Sequence, residues 1–204
     1  MTTTKYSVIV FDLGMVLLPF DYNIALQRLE KIEPGLGVKF LDYYKNNYSI
    51  HRSFERGDLS EEDFLKKMLE IFNKKISADI FCKIYSEIFT VNKNVAALLP
   101  ELKKKYRLVL LSNTNSIHRE YGWKKYEFLK YFDKLILSHE VRAVKPEEAI
   151  YLAVENFTRK PAREHIFIDD IKEYSEAAKK LGWDGIQFIS YESLVSELKM
   201  RNIF

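Results

Sequence analysis

The chain has 204 residues, 47% of them hydrophobic, which suits one compact domain with room for a small insertion. Its 32 basic and 29 acidic residues leave a net charge of only +3, and the basic residues are dispersed, which excludes the footprint of a nucleic-acid binder. A single cysteine, Cys82, excludes an intrachain disulfide and any need for an oxidising compartment.

In chain order, Met1 to Lys5 is short and polar, and the apolar run behind it stops at Asp12. That pattern is neither a signal peptide nor a membrane span, so a soluble, cytoplasmic protein with no membrane partner is expected. Ser7 to Phe11 (SVIVF) is β-branched without a period of two, the signature of a strand buried on both faces. From about Asp21 to Thr90 no strand is visible. Apolar residues there recur at helical spacing: Ile24, Leu26 and Leu29, then Phe64, Leu65, Met68, Leu69 and Phe72. Ser60 reads as an N-cap with Asp63 at the third helical position, after a turn at Gly57-Asp58. Cys82, among Ile80, Phe81, Ile84 and Tyr85, reads as a packed core thiol. Lys103 to Lys105 closes a further helix, where cations suit the dipole.

Four more strand-like runs follow, at Leu108 to Leu111, Leu135 to Leu137, Ile166 to Ile168 and Ile186 to Ile189. Helical patterns separate them: Arg119 to Tyr131, Pro146 to Phe157, and Glu173 to Leu181 with Gly182 as its C-cap. A last helix runs from Tyr191 to Arg201. Alternating strands and helices predict an α/β fold, a three-layer Rossmann-like core with a mainly parallel sheet. Residues 1–19 and 91–204 form that core, and residues 20–90 form a helical cap inserted after the first strand.

Open parallel sheets bind ligands beyond the carboxyl ends of their strands. Asp12 follows the first strand, Ser112 the second, Ser138 and then Lys145-Pro146 the third, and Asp169-Asp170 the fourth. Singly, each has a structural reading: Asp12 as a turn former, Ser112 as a helix cap, Lys145 as a solvated loop lysine, the acidic pair as a cap near Glu173. Together they place three carboxylates, a lysine and a hydroxyl on one edge. Side-by-side carboxylates at an apolar strand end need a cation to remain ionised. The set suits phosphoryl transfer to a carboxylate nucleophile beside a hard divalent ion.

Phe11-Asp12-Leu13-Gly14-Met15-Val16-Leu17 resembles the first motif of the haloacid dehalogenase superfamily, and Leu110-Leu111-Ser112-Asn113-Thr114-Asn115 its second. Lys145-Pro146, after Ser138-His139-Glu140, resembles the third. Phe167-Ile168-Asp169-Asp170, continued by Ala177-Ala178 and Leu181-Gly182, resembles the fourth. The order Asp-Leu-Gly and then Ser-Asn-Thr-Asn is similar to the sugar-phosphate phosphatase branch, which includes bacterial glucose-1-phosphate phosphatases. The resemblance implies Asp12 as nucleophile and metal ligand, with the Gly14 carbonyl and Asp170 as further ligands of a Mg2+ site and Asp169 as a direct or water-mediated one. It implies Ser112 and the Asn113 amide as phosphate donors, and Lys145 as partner of Asp12 and the phosphate. It implies a small phosphorylated metabolite, such as a sugar phosphate, as substrate. Gly14 departs from the pattern, because most phosphatases of the family carry there an aspartate that protonates the leaving alcohol and activates water. A haloacid dehalogenase and a catalytically silent phosphate-binding protein of the same fold are the alternatives; the oligomeric state is left open.

Asp21 either turns back over the site or caps the helix from Asn23 to Leu29. In the insert, His51, Arg52, Arg56, Phe54 and Tyr48 could reach a substrate or lie on a solvated surface, while Tyr43 and Tyr44 read as packing. His118 and His139 read as surface or loop residues.

Overall fold

The structure is a computed structural model that describes residues 5–204; Met1 to Thr4, the polar start discussed above, lie outside the described residues. Among the described residues one sheet has five strands: β1 (Val8–Phe11), β2 (Arg107–Ser112), β3 (Lys134–Leu137), β4 (His165–Asp169) and β5 (Asp184–Gln187). All pairings are parallel, in the order β3-β2-β1-β4-β5. Every residue of β1 and of β4 is buried. Alternate residues serve opposite faces: Ile9, Phe11, Leu108, Leu110, Ile166 and Ile168 join one hydrophobic layer, and Val8, Val10, Val109, Leu111 and Phe167 join the other. That two-sided burial removes the polar alternation a half-exposed strand would show.

Five helices separate β1 from β2 before the short α6 (Lys93–Ala96) and α7 (Leu99–Lys103): α1 (Tyr22–Ile32), α2 (Leu36–Asn46), α3 (Tyr48–Arg56), α4 (Glu61–Ile71) and α5 (Ala78–Ser86). They enclose a hydrophobic cluster of their own, around Phe40, Phe54, Phe64, Met68, Phe72, Phe81, Cys82 and Tyr85. Burial pushes the Cys82 thiol up to about 11, as befits a packed core residue. Ser60 caps α4 as predicted, its hydroxyl accepting the Asp63 amide at 3.1 Å. Asp21 caps α1 through the Asn23 amide at 2.9 Å, so of its two readings the cap holds.

After β3 come α8 (Ser138–Val141) and α9 (Glu148–Thr158); α10 (Lys172–Lys180) lies between β4 and β5, and α11 (Tyr191–Met200) closes the chain. Gly182 follows α10 with φ of 91°, as its C-cap reading requires. Two expectations change. The helix expected over Arg119 to Tyr131 divides into a wide π-type turn, His118–Trp123, and a 3-10 turn, Glu127–Tyr131. Its buried anchors Trp123 and Phe128 are five residues apart, a spacing one straight α-helix cannot turn to the same face. The last strand lies two residues earlier than Ile186 to Ile189, because β4 ends at Asp169, whose partner is Gln187. Ile189 is left 68% exposed. No helix among the described residues is long and apolar enough to cross a membrane.

Candidate active site

Parallel pairing brings the carboxyl ends of the strands to one edge. Phe11 is in register with both Leu110 and Ile168, so Asp12 emerges between β2 and β4, level with Asp169. The Asp12 amide still donates to the Ile168 carbonyl at 2.9 Å, which extends the ladder by one rung and fixes the side chain at the edge. Oxygens of Asp12, Asp169 and Asp170 all lie within 4.8 Å of one another.

Lys145 enters from the loop before α9 and is 1% exposed, so it is not a solvated loop lysine. Its ammonium donates to Asp12 Oδ1 at 2.7 Å and to Asp169 Oδ2 at 2.6 Å. The rings of Phe167 and Tyr174 lie 5.5 and 5.2 Å from Nζ. Its backbone is held on both polar groups. Asn113 Oδ1 accepts from the Lys145 amide at 2.8 Å, Asn113 Nδ2 donates to the Lys145 carbonyl at 3.2 Å, and Arg52 donates to that carbonyl at 2.7 Å. The side chain of Asn113 thus positions Lys145. Sequence reading credited Asn113 only with its amide, because nothing local foretells a partner 32 residues away.

Burial pushes the Asp12 carboxyl up; Lys145 opposes the rise, and the charges of Asp169 and Asp170 add to it. Burial also works against the Lys145 ammonium, but Asp12 and Asp169 outweigh it and hold its pKa above the ordinary value. Asp170 is raised by burial and then by Asp169. Three carboxylates and one ammonium sum to −2 when all are ionised. Two like charges 4 Å apart cost about 4 kcal/mol at an effective dielectric of about 20. The cluster therefore lacks about one divalent cation of charge balance. Asp169 is wholly buried, with Oδ2 on Lys145 and Oδ1 on the Ile171 amide at 2.8 Å, whereas Asp170 is half-buried and borders the cavity. The Gly14 carbonyl accepts the Val16 amide at 2.6 Å and keeps a second lone pair. Oxygen donors of these types suit a hard divalent ion.

A cavity of about 230 Å³ opens over this cluster. Asp12, Gly14, Asn113, Lys145 and Asp170 form its floor, and Tyr22, Tyr44, Tyr48, His51, Arg52 and Glu55 of the insert form much of its wall. A side chamber of about 80 Å³ adjoins Gly14 and is lined by Glu55, Ser112, Asn113, His118 and Trp123 among others. Ser112, at the end of β2, is 2% exposed and faces this chamber. Other expectations change here. His118 is buried at 4% exposure and stacks on Tyr85 with ring centres 4.1 Å apart, because the π-type turn carries it beneath the insert. His139 is half-buried, with Nδ1 against the Thr114 carbonyl. Phe54 stacks on Phe64 at 4.1 Å and Arg56 pairs with Glu147 and Asp58, so neither borders the cavity. Tyr44, read as packing, lines it. Tyr22 and Glu55 were not singled out in the sequence, since their neighbours come from distant helices.

The sequence profile of the haloacid dehalogenase-like hydrolase family matches residues 28–188. A phosphorylated carbohydrates phosphatase of Thermotoga maritima is 30% identical over 181 residues, which span 87% of this chain and 82% of that protein. Among solved structures, a HAD family enzyme of Bacteroides thetaiotaomicron superposes with a TM-score of 0.78 at 26% identity, over 89% of this chain and 93% of that one. The same enzyme has been crystallised with magnesium and inorganic phosphate, a form that superposes with a TM-score of 0.75. An L-2-haloacid dehalogenase of Xanthobacter autotrophicus shares the fold, with a TM-score of 0.64 at 19% identity over 98% of this chain and 84% of that one. With these matches across a sheet edge that gathers all four motifs, the chain belongs to the haloacid dehalogenase-like hydrolase family.

Proposed function

We propose that this hydrolase is a magnesium-dependent phosphatase that cleaves a small phosphomonoester, a sugar phosphate, through a phosphorylated Asp12. The carrying observation is the charge of the site: Lys145 already answers Asp12 and Asp169, yet Asp170 adds a further carboxylate at the same edge. A dehalogenase of this fold, whose carboxylate attacks carbon, has no use for that surplus of negative charge. A phosphatase uses it to hold a cation. Asp12, the Gly14 carbonyl and Asp170 would hold magnesium, with Asp169 supporting through Lys145 or a water. Bound there, the ion supplies positive charge to the phosphate oxygens.

The chain's own residues divide the remaining work. Lys145 keeps an Asp12 oxygen directed into the cavity and offers its charge to the phosphate. Ser112 Oγ and the Asn113 amide donate to the phosphoryl oxygens from the end of β2. Asp12 attacks phosphorus, the bond to the departing alcohol breaks, and water later releases inorganic phosphate and restores the carboxylate. Residues 20–90 act as a cap that closes over the substrate. Tyr44 and Tyr48 offer ring faces to a sugar, and the wall carries a carboxylate, Glu55, able to accept from hydroxyl groups. The Thermotoga relative, named for phosphorylated carbohydrates, supports that substrate class.

An assay on a general aryl phosphate under magnesium titration tests the reading. Metal-dependent phosphate release is expected. Halide release from a 2-haloacid without metal would make the protein a dehalogenase, and neither activity would leave it a silent phosphate binder, the reading Gly14 favours. A panel of phosphorylated metabolites then fixes the substrate.

A further inference from the structure

Gly14 leaves the proposed reaction without a carboxylate beside the nucleophile to move protons. A Cβ at position 14 would meet Phe20 Cε1 at 3.2 Å. Asp21, the nearest acidic residue in sequence, is exposed and occupied with capping α1. Glu55, on α3, is placed differently. It lines the main cavity together with Asp12, Gly14 and Lys145, and it lines the side chamber together with Gly14 and Ser112. Its side chain is 15% exposed, and Oε1 lies 3.3 Å from His51 Nε2. His51 Nδ1 in turn lies 3.0 Å from the Tyr85 hydroxyl, which accepts from Asn115 Nδ2 at 3.4 Å. The glutamate is therefore fixed by a buried chain of polar groups, and it stands at the junction of the two spaces.

A second observation concerns the chamber itself. His118 Nδ1 and Trp123 Nε1 are buried and make no hydrogen bond within the protein, and both residues line it. Buried groups of this kind take water as their partner, and about 80 Å³ is room for it.

We propose that Glu55, backed by His51, is the acid–base residue of the reaction and takes its water from the chamber beside Gly14. This rests on the phosphatase reading above. In the second half-reaction the Glu55 carboxylate accepts a proton from water as the water oxygen bonds to phosphorus. The bond between phosphorus and Asp12 breaks, and phosphate leaves. The proton taken up by Glu55 passes to the departing alcohol oxygen in the next turnover, so protons balance over the cycle. Burial alone would raise the Glu55 carboxyl, but the hydrogen bond and charge of His51, then Arg52, hold it below the usual range, in the ionised form that can accept a proton.

The test is stopped-flow release of nitrophenol from p-nitrophenyl phosphate with magnesium, in wild type and Glu55→Gln. The variant should release one equivalent at close to the wild-type rate and then turn over about 10²–10⁴-fold more slowly, with covalent phosphate trapped on acid quench. A purely structural defect would slow both phases together and trap nothing; that outcome, or steady turnover within threefold of wild type, overturns the proposal. Should Glu55→Gln fail to fold, His51→Gln is read on the same two phases by the same criteria. A wild type without magnesium-dependent release overturns the phosphatase reading and this one together; an active wild type with an unaffected variant overturns this one alone.

Discussion

At Asp12 the geometry separates shape from chemistry. Its amide sits in the strand ladder and its Oδ1 receives Lys145, so Asp12→Asn keeps the packing while replacing the proposed nucleophile by an amide. Turnover should fall below a tenth of wild type with the circular dichroism spectrum unchanged; a variant that retains more than a tenth removes Asp12 from the role of nucleophile. Lys145 has the opposite balance. Replacing it by methionine fills most of the volume but leaves Asp12 and Asp169 facing each other, at 7% and 0% exposure, without a cation. Breaking a buried pair in this way costs about 3–5 kcal/mol. Urea unfolding of Lys145→Met in EDTA should show a loss of that order, and a change under 1 kcal/mol would mean that the ammonium contributes little to the fold.

At the scale of elements, α3 is the joint between insert and core. It ends at Gly57, φ 80°, where a Cβ would stand 2.4 Å from the His139 carbonyl of α8. Ser138 Oγ donates to the Glu55 carbonyl at 2.6 Å just beside it. Gly57→Ala must bear both the left-handed backbone, about 1–2 kcal/mol for a residue with a Cβ, and the clash. The clash can be relieved only by moving α3 off α8. Since α3 also carries Tyr48, His51, Arg52 and Glu55 to the cavity wall, the variant should lower the melting temperature and raise KM together. A lower melting temperature with unchanged KM would show that the wall is held by α1 and α2 instead.

The whole molecule joins two hydrophobic units, the sheet layers and the helical cluster, around a site that carries excess negative charge. A cation that binds only the folded site stabilises by mass action, about 2.7 kcal/mol at one hundred times its Kd. Magnesium should therefore raise the wild-type melting temperature, and Asp170→Asn should lose most of that rise and need more magnesium for half-maximal rate. Equal shifts in both proteins would remove Asp170 from the metal site.

Much of this was legible locally. The β-branched runs, the Ser60 and Asp21 caps and the Gly182 stop depend on neighbours within a few residues, and strand-end placement alone predicted that Asp12, Lys145, Asp169 and Asp170 would meet. Where segments depend on distant partners, sequence reading fell short: Arg119 to Tyr131 gave up its helix to bury Trp123 and Phe128, and His118 went under the insert rather than to the surface. The pattern of residues thus determined by itself the parallel sheet, its helices and the carboxylate edge, because those follow from periodicity and from the rule that parallel strands end together. Only the tertiary structure decided that Asn113 grips the backbone of Lys145, that Glu55 lines the same two cavities as Gly14, and that Tyr44 faces the main one, because these placements join residues tens of positions apart and are fixed by how the insert packs on the sheet.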